Sequence, residues 1–538
     1  MFRISWAWVA AFIGGLFHAS MVHAEGGPDA FGYTWQTSAE PGAQPAYWVD
    51  ISTIGTPVSG LADDNSVPIQ IQFPSVSLDF TYYWRDYFGD FRIGSNGWVG
   101  FEGGDNLAGC FPGIPSDGGV ADAYMAPFMA DLTFSGVGNP AQVRTHRDVP
   151  GNRFIISFLD VPFWSPNSPG YVGSNTFQIV LNSDVVIPTN VVDNIDFNYL
   201  SLSPFTPSTA CNEIVVGMES RNGAVGLAVL TDAVPQAPLT IRFSFPDTPL
   251  VQVKDAAPID VLNPGSRAEI RNTVEAGAIS GAVVNLGGAG INSTINTTAN
   301  VRVPDHGGTI VYSATVGVPF LAGGETTALE FATPYTAVAG RQAVRFTASS
   351  AQDINPGNDT QWTLLIGLDG GPRQILSYKG AATDGAGVNL KGGSALDQYG
   401  IAVEYDPPDA GFLVHAVGLV MAANSDAYAL ELRDNNGIDG LPGSVLARVE
   451  VPAGTTTNGS WKDIELAAPV VVDADGFYLV WYQQSANNFL LSEATSLPSR
   501  RVLERVAGTF ARYRDQLTNE PSLRVTVSPP DIFKNDFE

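Results

Sequence analysis

With 538 residues, the chain is longer than one hydrophobic core usually organises, so about three domains are expected. Its 57 glycines and 37 prolines, together with 10% aromatic and only 15% charged residues, favour short strands joined by turns over long helices. The formal net charge of −27, spread along the chain, argues against nucleic acid and anionic membrane surfaces as partners.

Residues 1–24 have the pattern of a secretory signal. Arg3 supplies the positive start, residues 6–17 form an apolar run, and His23-Ala24 completes a plausible cleavage site. A membrane anchor is the alternative, but the run is shorter than the ~20 apolar residues that a spanning helix needs. We therefore expect an exported chain that begins near Glu25 and has no transmembrane segment.

Residues 91–101 predict a tight β-hairpin. Asn96-Gly97 is typical of a type I′ turn, in which both central residues have positive φ, and apolar strand residues flank it on both sides. Asn96 and Gly97 are therefore predicted to matter for folding and not for chemistry.

Further strands are predicted on either side of this hairpin, and residues 195–199 alternate like a half-buried strand. In order and spacing, the series resembles the nidogen-like extracellular module; its segments are a Phe/Tyr-rich strand and then residues 93–101, 126–132, 152–158, 175–181 and 195–199. The resemblance implies a structural or adhesive β domain over residues 25–248, without catalytic residues.

The chain has two cysteines, Cys110 and Cys211. An even count in an exported chain favours a disulfide. By restricting the unfolded chain, the bridge would raise the free energy of unfolding of the first domain by up to roughly 4 to 5 kcal/mol. A pair of free thiols is the alternative.

Residues 249–368 are predicted to form a second domain after a Pro-rich boundary. Turn signals about every ten residues indicate a seven-stranded sandwich. Residues 283–287, 321–326 and 353–359 together resemble the bacterial cell-adhesion-related (CARDB) domain of immunoglobulin-like fold. The resemblance implies a spacer or an adhesion role.

Residues 369–528 again predict strands, and they resemble the jelly-roll type of accessory sandwich carried by exported bacterial proteins. The fold class is therefore all-β, with three β-sandwich-type domains in a row. Residues 529–538 resemble a short Phe-x-x-x-Phe-Glu ending of secreted gammaproteobacterial proteins, which implies a Gram-negative host. A frayed tail is the alternative.

No catalytic motif is recognisable. His146, His306 and His415 fall one in each predicted domain, and none stands in the context of a Ser-His-Asp or Cys-His unit. The chain is therefore predicted not to be an enzyme. Hydrolysis by an unrecognised pair of carboxylates remains an alternative, because their separation in space is not readable from sequence.

No cofactor is expected, apart from one candidate calcium site. Asp434, Asn436 and Asp439 lie in an Asp/Asn/Gly loop that can supply the oxygen ligands calcium prefers. The alternative is an Asn-Gly-rich hairpin turn.

Two further groups each have two interpretations. Trp461, Trp481 and Tyr482 are predicted core residues, and stacking on sugars is the alternative. The basic group is expected to pair with nearby acids, and a polyanionic partner is the alternative; its members are Arg500, Arg501, Arg505, Arg512 and Arg514.

Together, these observations predict a secreted or cell-surface, non-enzymatic protein for adhesion or extracellular binding. The expected partner is an extracellular protein or a glycan. The alternative is a carbohydrate-binding or accessory protein related to the non-catalytic parts of exported hydrolases.

Overall fold

The structure is a computed structural model. It describes residues 25–63, 65–70, 79–88, 90–101, 111–116, 123–165, 169–186, 191–206, 212–246, 252–380, 387–388, 390, 397–422, 426–456, 459–485, 488–506, 508–513 and 518–529. The predicted signal, both cysteines and residues 530–538 of the predicted tail lie outside these residues.

The all-β prediction is confirmed. In the described residues, regular structure consists of strands apart from two 3-10 turns, Pro264–Ser266 and Ile438–Gly440. The described part of the chain contains no helix with the length and hydrophobicity of a membrane span.

The first group of strands covers residues 25–244. It forms an eight-stranded sheet in the order β1-β2-β16-β13-β12-β11-β10-β3, a six-stranded sheet in the order β15-β14-β9-β8-β7-β4, and the separate hairpin β5-β6. The bounds are β1 (Glu25–Gly26), β2 (Thr34–Thr37), β3 (Thr56–Pro57), β4 (Ser66–Gln70), β5 (Asp79–Tyr82), β6 (Arg85–Phe88), β7 (Asp90–Gly94), β8 (Val99–Gly100), β9 (Tyr124–Ala130), β10 (Gln142–Asp148), β11 (Arg153–Trp164), β12 (Tyr171–Val186), β13 (Val191–Ser201), β14 (Ile214–Glu219), β15 (Gly226–Thr231) and β16 (Leu239–Ser244).

An aromatic core lies between the two larger sheets of this domain. The rings of Phe158 and Phe177 stack with centroids 4.6 Å apart, and Phe128 of β9 meets Phe177 edge-on at 5.6 Å. Each large buried ring contributes about 1.5 to 3 kcal/mol relative to an exposed one. Strand β9 is buried on both faces, because Trp98 and Phe111 cover the face that does not point into this core.

The predicted hairpin is present, but its turn differs from the prediction. Gly94 N donates to Trp98 O at 2.9 Å and Gly97 N donates to Gly94 O at 3.2 Å, which closes a three-residue loop. Gly97 has a positive φ of 78° and Asn96 does not, so type I′ is wrong, and the loop is a type I turn followed by a G1 bulge.

The physical reason is the burial of this turn. Asn96 is 1% exposed, and its Oδ1 accepts the N–H of Leu132 at 3.0 Å while its carbonyl accepts that of Ala130 at 3.2 Å. The turn therefore anchors the end of β9 through a residue that a solvent-exposed hairpin would leave free.

The half-buried interpretation of residues 195–199 is also wrong, because both faces of β13 are covered. Asp196 is fully buried, and it accepts two hydrogen bonds from Arg242 at 2.7 and 2.8 Å and one from the Tyr47 hydroxyl at 2.7 Å. The segment that contains Tyr47 lies over the polar face, and paired hydrogen bonds offset the cost of burying that face.

The second group of strands covers residues 256–368. Its two sheets have the orders β17-β19-β22 and β18-β24-β23-β20-β21, and β18 pairs in parallel with β24 while the other pairs are antiparallel. The bounds are β17 (Ala256–Pro258), β18 (Glu269–Asn272), β19 (Ala276–Asn285), β20 (Ile295–Val303), β21 (Thr309–Val318), β22 (Thr326–Thr336), β23 (Gly340–Ser349) and β24 (Thr360–Leu368). Two facing sheets of this order form an immunoglobulin-like sandwich.

The third group of strands covers residues 374–528. Its sheets have the orders β25-β37-β28-β31, β26-β33-β36 and β30-β29-β32-β27-β34-β35. The bounds are β25 (Gln374–Leu376), β26 (Gly387–Val388), β27 (Gly400–Tyr405), β28 (Phe412–Val420), β29 (Tyr428–Asp434), β30 (Val445–Val451), β31 (Trp461–Val472), β32 (Phe477–Tyr482), β33 (Leu490–Ala494), β34 (Val502–Val506), β35 (Thr509–Arg512), β36 (Asn519–Pro521) and β37 (Leu523–Ser528).

One hydrophobic core contains residues of both the middle and the third domain, in addition to the middle domain's own core. Strand β24 buries Leu365 in the core of its own sandwich and buries Leu364 and Ile366 in the core of the third domain. Polar contacts surround this shared core: Ala268 N donates to Ser499 O at 2.8 Å, and Arg501 Nε donates to Ala268 O at 2.5 Å. We call the contact between the middle and third domains the second junction. Because apolar packing is continuous across this junction, it joins the two domains firmly.

The first and middle domains meet differently. Trp84 Nε1 donates to Leu286 O at 2.8 Å, and Asn355 Nδ2 donates to Asn222 O at 3.0 Å. No described hydrophobic cluster includes buried residues of both domains. This first junction is therefore held mainly by polar contacts.

Candidate functional site

The predicted calcium loop is closed by its own hydrogen bonds. Asn436 Oδ1 accepts the N–H of Ser444 at 2.8 Å, and Asn436 Nδ2 donates to Asp434 Oδ2 at 3.2 Å and to Ser444 Oγ at 3.1 Å. The amide group thus presents nitrogen to the carboxylate, and its oxygen is already used by the turn. The side chain of Asp439 lies outside the described part, so calcium binding here stays a prediction.

A surface cavity of about 280 Å³ lies beside this loop. Asp434, Asp473 and the apolar side chains of Leu446, Val471 and Phe477 line it. The sequence indicated Asp434 but gave no sign that the β31–β32 turn brings Asp473 to the same cavity.

The three histidines do not form a catalytic unit among the described residues. His415 Nε2 lies 2.8 Å from Ser528 Oγ, but no acid contacts its other ring nitrogen there. His306 Nε2 lies 3.4 Å from Ser496 Oγ, across the second junction, and His146 is a half-buried residue of β10.

Two of the three candidate sugar-stacking aromatics are core residues. Trp481 and Tyr482 are fully buried. Trp461 is half-buried, and the guanidinium of Arg524 lies over its ring, 4.1 Å from the centroid. Arg524 therefore occupies one face of the Trp461 ring.

The basic group serves packing and pairing. Arg501 is nearly fully buried and lies 2.5 Å from Asp406, and Arg505 covers the ring of Phe510 with its guanidinium 4.7 Å from the centroid. Arg500 Nη1 donates to Gly265 O at 3.3 Å across the second junction. Arg514 lies outside the described residues.

The predicted disulfide cannot be placed, since Cys110 and Cys211 also lie outside them. The residues that follow the two cysteines, Phe111 and Asn212, are hydrogen-bonded: Phe111 N donates to Asn212 O at 2.9 Å, and Asn212 Nδ2 donates to Phe111 O at 3.3 Å. These bonds are compatible with the bridge, which stays a prediction.

The structure brings together a buried polar group that sequence reasoning did not recognise. We call it the junction cluster; it comprises Asn222 of the first domain and Asp255, Asp353, Asn355, Asn358 and Asp359 of the middle domain. Asp255 is fully buried and accepts Asn358 Nδ2 at 3.1 and 3.2 Å. Each Asp353 oxygen accepts a backbone N–H, from Asn355 at 2.8 Å and from Ala256 at 2.7 Å.

Burial and mutual repulsion act on the carboxyl groups of the junction cluster. Desolvation, followed by the nearby charge of Asp353, raises the pKa of Asp255 to about 7 and that of Asp359 to about 6. Desolvation also raises the pKa of Asp353, although the two backbone N–H groups oppose it. In the described residues, none of these three carboxylates forms an ion pair.

One signal of this cluster was visible in the sequence. Residues 353–359, which carry part of the resemblance to CARDB domains, contain two aspartates and two asparagines. Asp255 and Asn222 lie about 100 and 130 positions earlier in the chain, and no local pattern connects them to this segment.

A second buried acid, Glu520, lies in the third domain close to the second junction. Its two carboxylate oxygens accept the N–H and the hydroxyl of Ser499 at 2.7 and 3.0 Å. Desolvation is the largest influence and raises the pKa of Glu520 to about 7, while the charge of Arg341, from the middle domain, lowers it.

Across the described residues, no group of three or more His, Cys, Asp or Glu side chains is arranged to hold a metal ion by itself. A metal site in this part of the chain would therefore need amide or main-chain oxygens beside its carboxylates.

Comparison with known proteins identifies no family. No family model matches the chain, and no curated protein matches it. Parts of the chain are similar to solved structures, of which three are described. The CARDB domain of a Pyrococcus furiosus protein in complex with di-metal ions is 18% identical, with 22% of this chain and 86% of that chain covered and a TM-score of 0.15.

The second is the cysteine protease and lectin-like domains of Cwp84, a surface layer associated protein of Clostridium difficile, at 10% identity, with 43% of this chain and 58% of that chain covered and a TM-score of 0.19. The third is the calcium binding domain CBD12 of CALX1.1, at 12% identity, with 40% and 76% covered and a TM-score of 0.14. Likenesses at these scores bear on no ligand and no activity of this chain.

Proposed function

We propose that the chain is a secreted or cell-surface, non-enzymatic protein that mediates adhesion or binds an extracellular ligand, with the immunoglobulin-like middle domain as a spacer. The observation that carries the proposal is the attachment of the middle domain at both ends. It shares a hydrophobic core with the third domain and exchanges hydrogen bonds with the first. A spacer needs an attachment at each end, because it sets the distance between the domains on either side of it.

The proposal also assigns a fold type to each of the three domains. A nidogen-like first domain, a CARDB-like middle domain and a jelly-roll-like third domain would each suit an extracellular role, and the two-sheet topology of residues 256–368 supports the second of them. The signal-like residues 1–24 support export, and the resemblance of residues 529–538 to an ending of secreted gammaproteobacterial proteins supports a Gram-negative host.

Localisation tests this proposal directly. Full-length protein is expressed with and without residues 529–538, and medium, outer surface and periplasm are assayed separately. We expect protein in the medium or on the outer surface in both cases, and a shift from surface to medium on deletion if the tail anchors the chain. Retention of the full-length protein in the cytoplasm would contradict the proposal, and so would turnover on a panel of glycosides and peptides.

The surface cavity of the third domain favours a second candidate, a carbohydrate-binding accessory role. A volume of about 280 Å³ is near the lower limit for small-ligand sites. The carboxylates that line the cavity beside aliphatic side chains can accept hydrogen bonds from sugar hydroxyls. Asp473 and Asp475 lie in the same turn, both are exposed, and only Asp473 lines the cavity. Glycan-array binding that Asp473→Ala abolishes and Asp475→Ala retains would support this candidate, whereas an array without signal would contradict it.

A further inference from the structure

Half of one sheet face in the middle domain is left open. Ala299, Val301 and Phe346 point into the core of the sandwich, so the residues that alternate with them along β20 and β23 point outward. On this outer face, Ala343 and Leu364 are paired across β23 and β24 and belong to the core shared with the third domain. The next two rows of residues, further from the third domain, are half-buried or exposed.

These two rows cross four neighbouring strands, from β21 through β20 and β23 to β24. The first row consists of four residues in register, Ser313, Asn300, Arg345 and Trp362. The second row consists of four threonines, Thr315, Thr298, Thr347 and Thr360. Directly opposite residues have Cβ atoms about 4.5 to 5.5 Å apart, so each row is a continuous line of neighbours. We call the two rows together the open face; neither contains an acidic or an aliphatic residue.

Two arginines at the open face have no counter-ion among the described residues. Arg302 follows Asn300 by two positions on β20, so it lies diagonal to Arg345 on the same face. The Nε of each arginine is buried and donates to no described group, and neither guanidinium forms an ion pair in this part of the chain. The chain has 54 acidic and 27 basic residues, so acids are not scarce. Two unneutralised guanidinium groups side by side are complementary to an anion.

The two guanidinium groups are positioned without being saturated. That of Arg345 lies over the ring of Trp362, 5.6 Å from the centroid, and its Nη2 donates to Thr360 Oγ1 at 3.4 Å. A hydrogen bond of this length is weak, so the nitrogen can exchange it for a better acceptor. Arg302 Nη1 donates to Gly308 O at 3.2 Å, which fixes the other guanidinium at the end of its strand. Planar guanidinium groups bind carboxylates through paired hydrogen bonds.

The surroundings of this pair favour a sugar over a protein as the bearer of the carboxylate. Protein interfaces are centred on apolar and aromatic side chains. The open face instead presents hydroxyl groups and the amide of Asn300, and its one aromatic ring, that of Trp362, is overlain by Arg345. Hydroxyl and amide groups both donate and accept, as sugar hydroxyls do. A uronic acid combines such hydroxyls with a carboxylate.

We propose that the open face and Arg302 bind a uronic-acid unit of an extracellular polysaccharide, with the sugar carboxylate held by Arg302 and Arg345. The inference rests on the proposed function, for which it names a ligand class, and it gives the middle domain a binding face in addition to its spacer role. The net charge of the chain does not oppose it, because charges more than about 8 Å away are largely screened at physiological salt. Nucleic acid, in contrast, presents dense charge along its whole length.

The first test uses the unmodified full-length protein. It is titrated by calorimetry, in EDTA and physiological salt, with hexasaccharides of galacturonate, mannuronate and hyaluronan, and with the methyl ester of each that binds. We expect at least one hexasaccharide to bind at one site per chain, and its methyl ester to bind at least about tenfold more weakly. Equal binding of the ester, or no binding of any hexasaccharide up to about 1 mM, would overturn the proposal. Preference for hexaglutamate would overturn the assignment to a sugar.

The second test supplies the missing counter-ion from within the chain. Asn300→Asp keeps the shape of the side chain and places a carboxylate directly opposite Arg345. It should weaken hexasaccharide binding by at least about tenfold without lowering the unfolding midpoint. Asn296→Asp is the matched control, because it adds the same charge on the same strand and face but about 13 Å away, and it should leave affinity within about twofold. Equal weakening by both variants, or none by Asn300→Asp, would overturn the assignment.

A third test changes an exposed side chain, so it stays informative if a half-buried substitution prevents folding. Ser313 is exposed on the edge strand β21, in the same row as Arg345. Ser313→Asp should weaken binding and Ser313→Lys should strengthen it, each by roughly two- to fivefold. Equal affinity of the two variants would contradict the proposal. Failed binding by a protein that is found in the medium would overturn the open face alone, whereas retention in the cytoplasm would overturn the proposed function.

Discussion

The middle domain contacts its two neighbours differently: one junction is apolar and the other is polar. At the second junction, β24 and β18 contribute apolar side chains to the core of the third domain, so the two domains share buried surface. At the first junction, a few hydrogen bonds join the domains, beside the buried carboxylates of the junction cluster. Apolar packing changes little with salt or pH, whereas polar contacts and buried acids respond to both. The second junction is therefore a fixed joint and the first an adjustable one.

The largest expected effect tests whether the first domain unfolds independently of the other two. In Gly97→Val, the new Cβ would lie 2.2 Å from Phe128 O, at a residue whose φ of 78° disfavours side chains. We expect a loss of roughly 3 to 6 kcal/mol from the first domain. Calorimetry should show its transition at lower temperature while the transition of the other two domains stays in place. A common downward shift would show that the first junction couples as strongly as the second.

The next prediction breaks the fixed joint. Leu364 and Leu365 are neighbours on β24, both fully buried, but only Leu364 packs into the third domain. Either alanine substitution should cost about 2 to 5 kcal/mol. We expect Leu364→Ala to split the transition of the middle and third domains into two, and Leu365→Ala to lower it as one. An unsplit transition in Leu364→Ala would contradict the shared core.

A pH dependence qualifies the fixed joint. Burial raises the pKa of Glu520 from its usual 4.5 to about 7, so the native protein binds the proton more tightly than the unfolded chain. Stability should then be complete below about pH 4.5 and fall as the pH rises to about 7, by on the order of 3 kcal/mol. Glu520→Gln should remove the part due to this residue, leave the part due to Asp255 and Asp359, and raise the unfolding midpoint at pH 8 but not at pH 4. A wild-type midpoint that is flat between pH 5 and 8 would contradict it.

The smallest expected effect concerns the adjustable joint. Trp84→Phe keeps an aromatic ring but deletes the N–H that donates to Leu286 O. Loss of this one hydrogen bond should cost about 1 kcal/mol. Hydrogen exchange at the first junction should accelerate, while the common transition of the middle and third domains stays unchanged. Trp362→Phe, in the middle domain, is the control for removing an indole N–H elsewhere.

The sequence predicted what depends on local pattern. Strand-rich domains and the position of the hairpin follow from alternation and turn residues close together in the chain, and the structure has both. The turn type was wrong because the conformation of Asn96 depends on Leu132, 36 residues later, whose N–H it accepts. The burial of Asp196 was missed for a similar reason, since Tyr47 reaches it across 149 positions.

Prediction was weaker for sites than for strands. The Asp434 loop is predicted as a calcium site because its spacing is local; in the structure the turn uses the amide oxygen of Asn436, and calcium binding stays a prediction. The junction cluster was missed because its charges gain their effect from burial between two domains, and burial of a loop cannot be inferred from its own composition. Sites built by one loop are visible in sequence, and sites built by a junction are not.

The shared core limits how the domains can be recombined during evolution. Severing the chain near residue 370 would leave Leu364, Ile366 and Leu368 of one fragment facing water, together with the third-domain side chains that cover them. A gene rearrangement that transferred either domain alone would therefore produce a poorly folding protein that aggregates through its exposed apolar surface. The smallest piece of this chain that recombination can move intact is the pair, so relatives should carry residues 252–529 together even where their first domains differ.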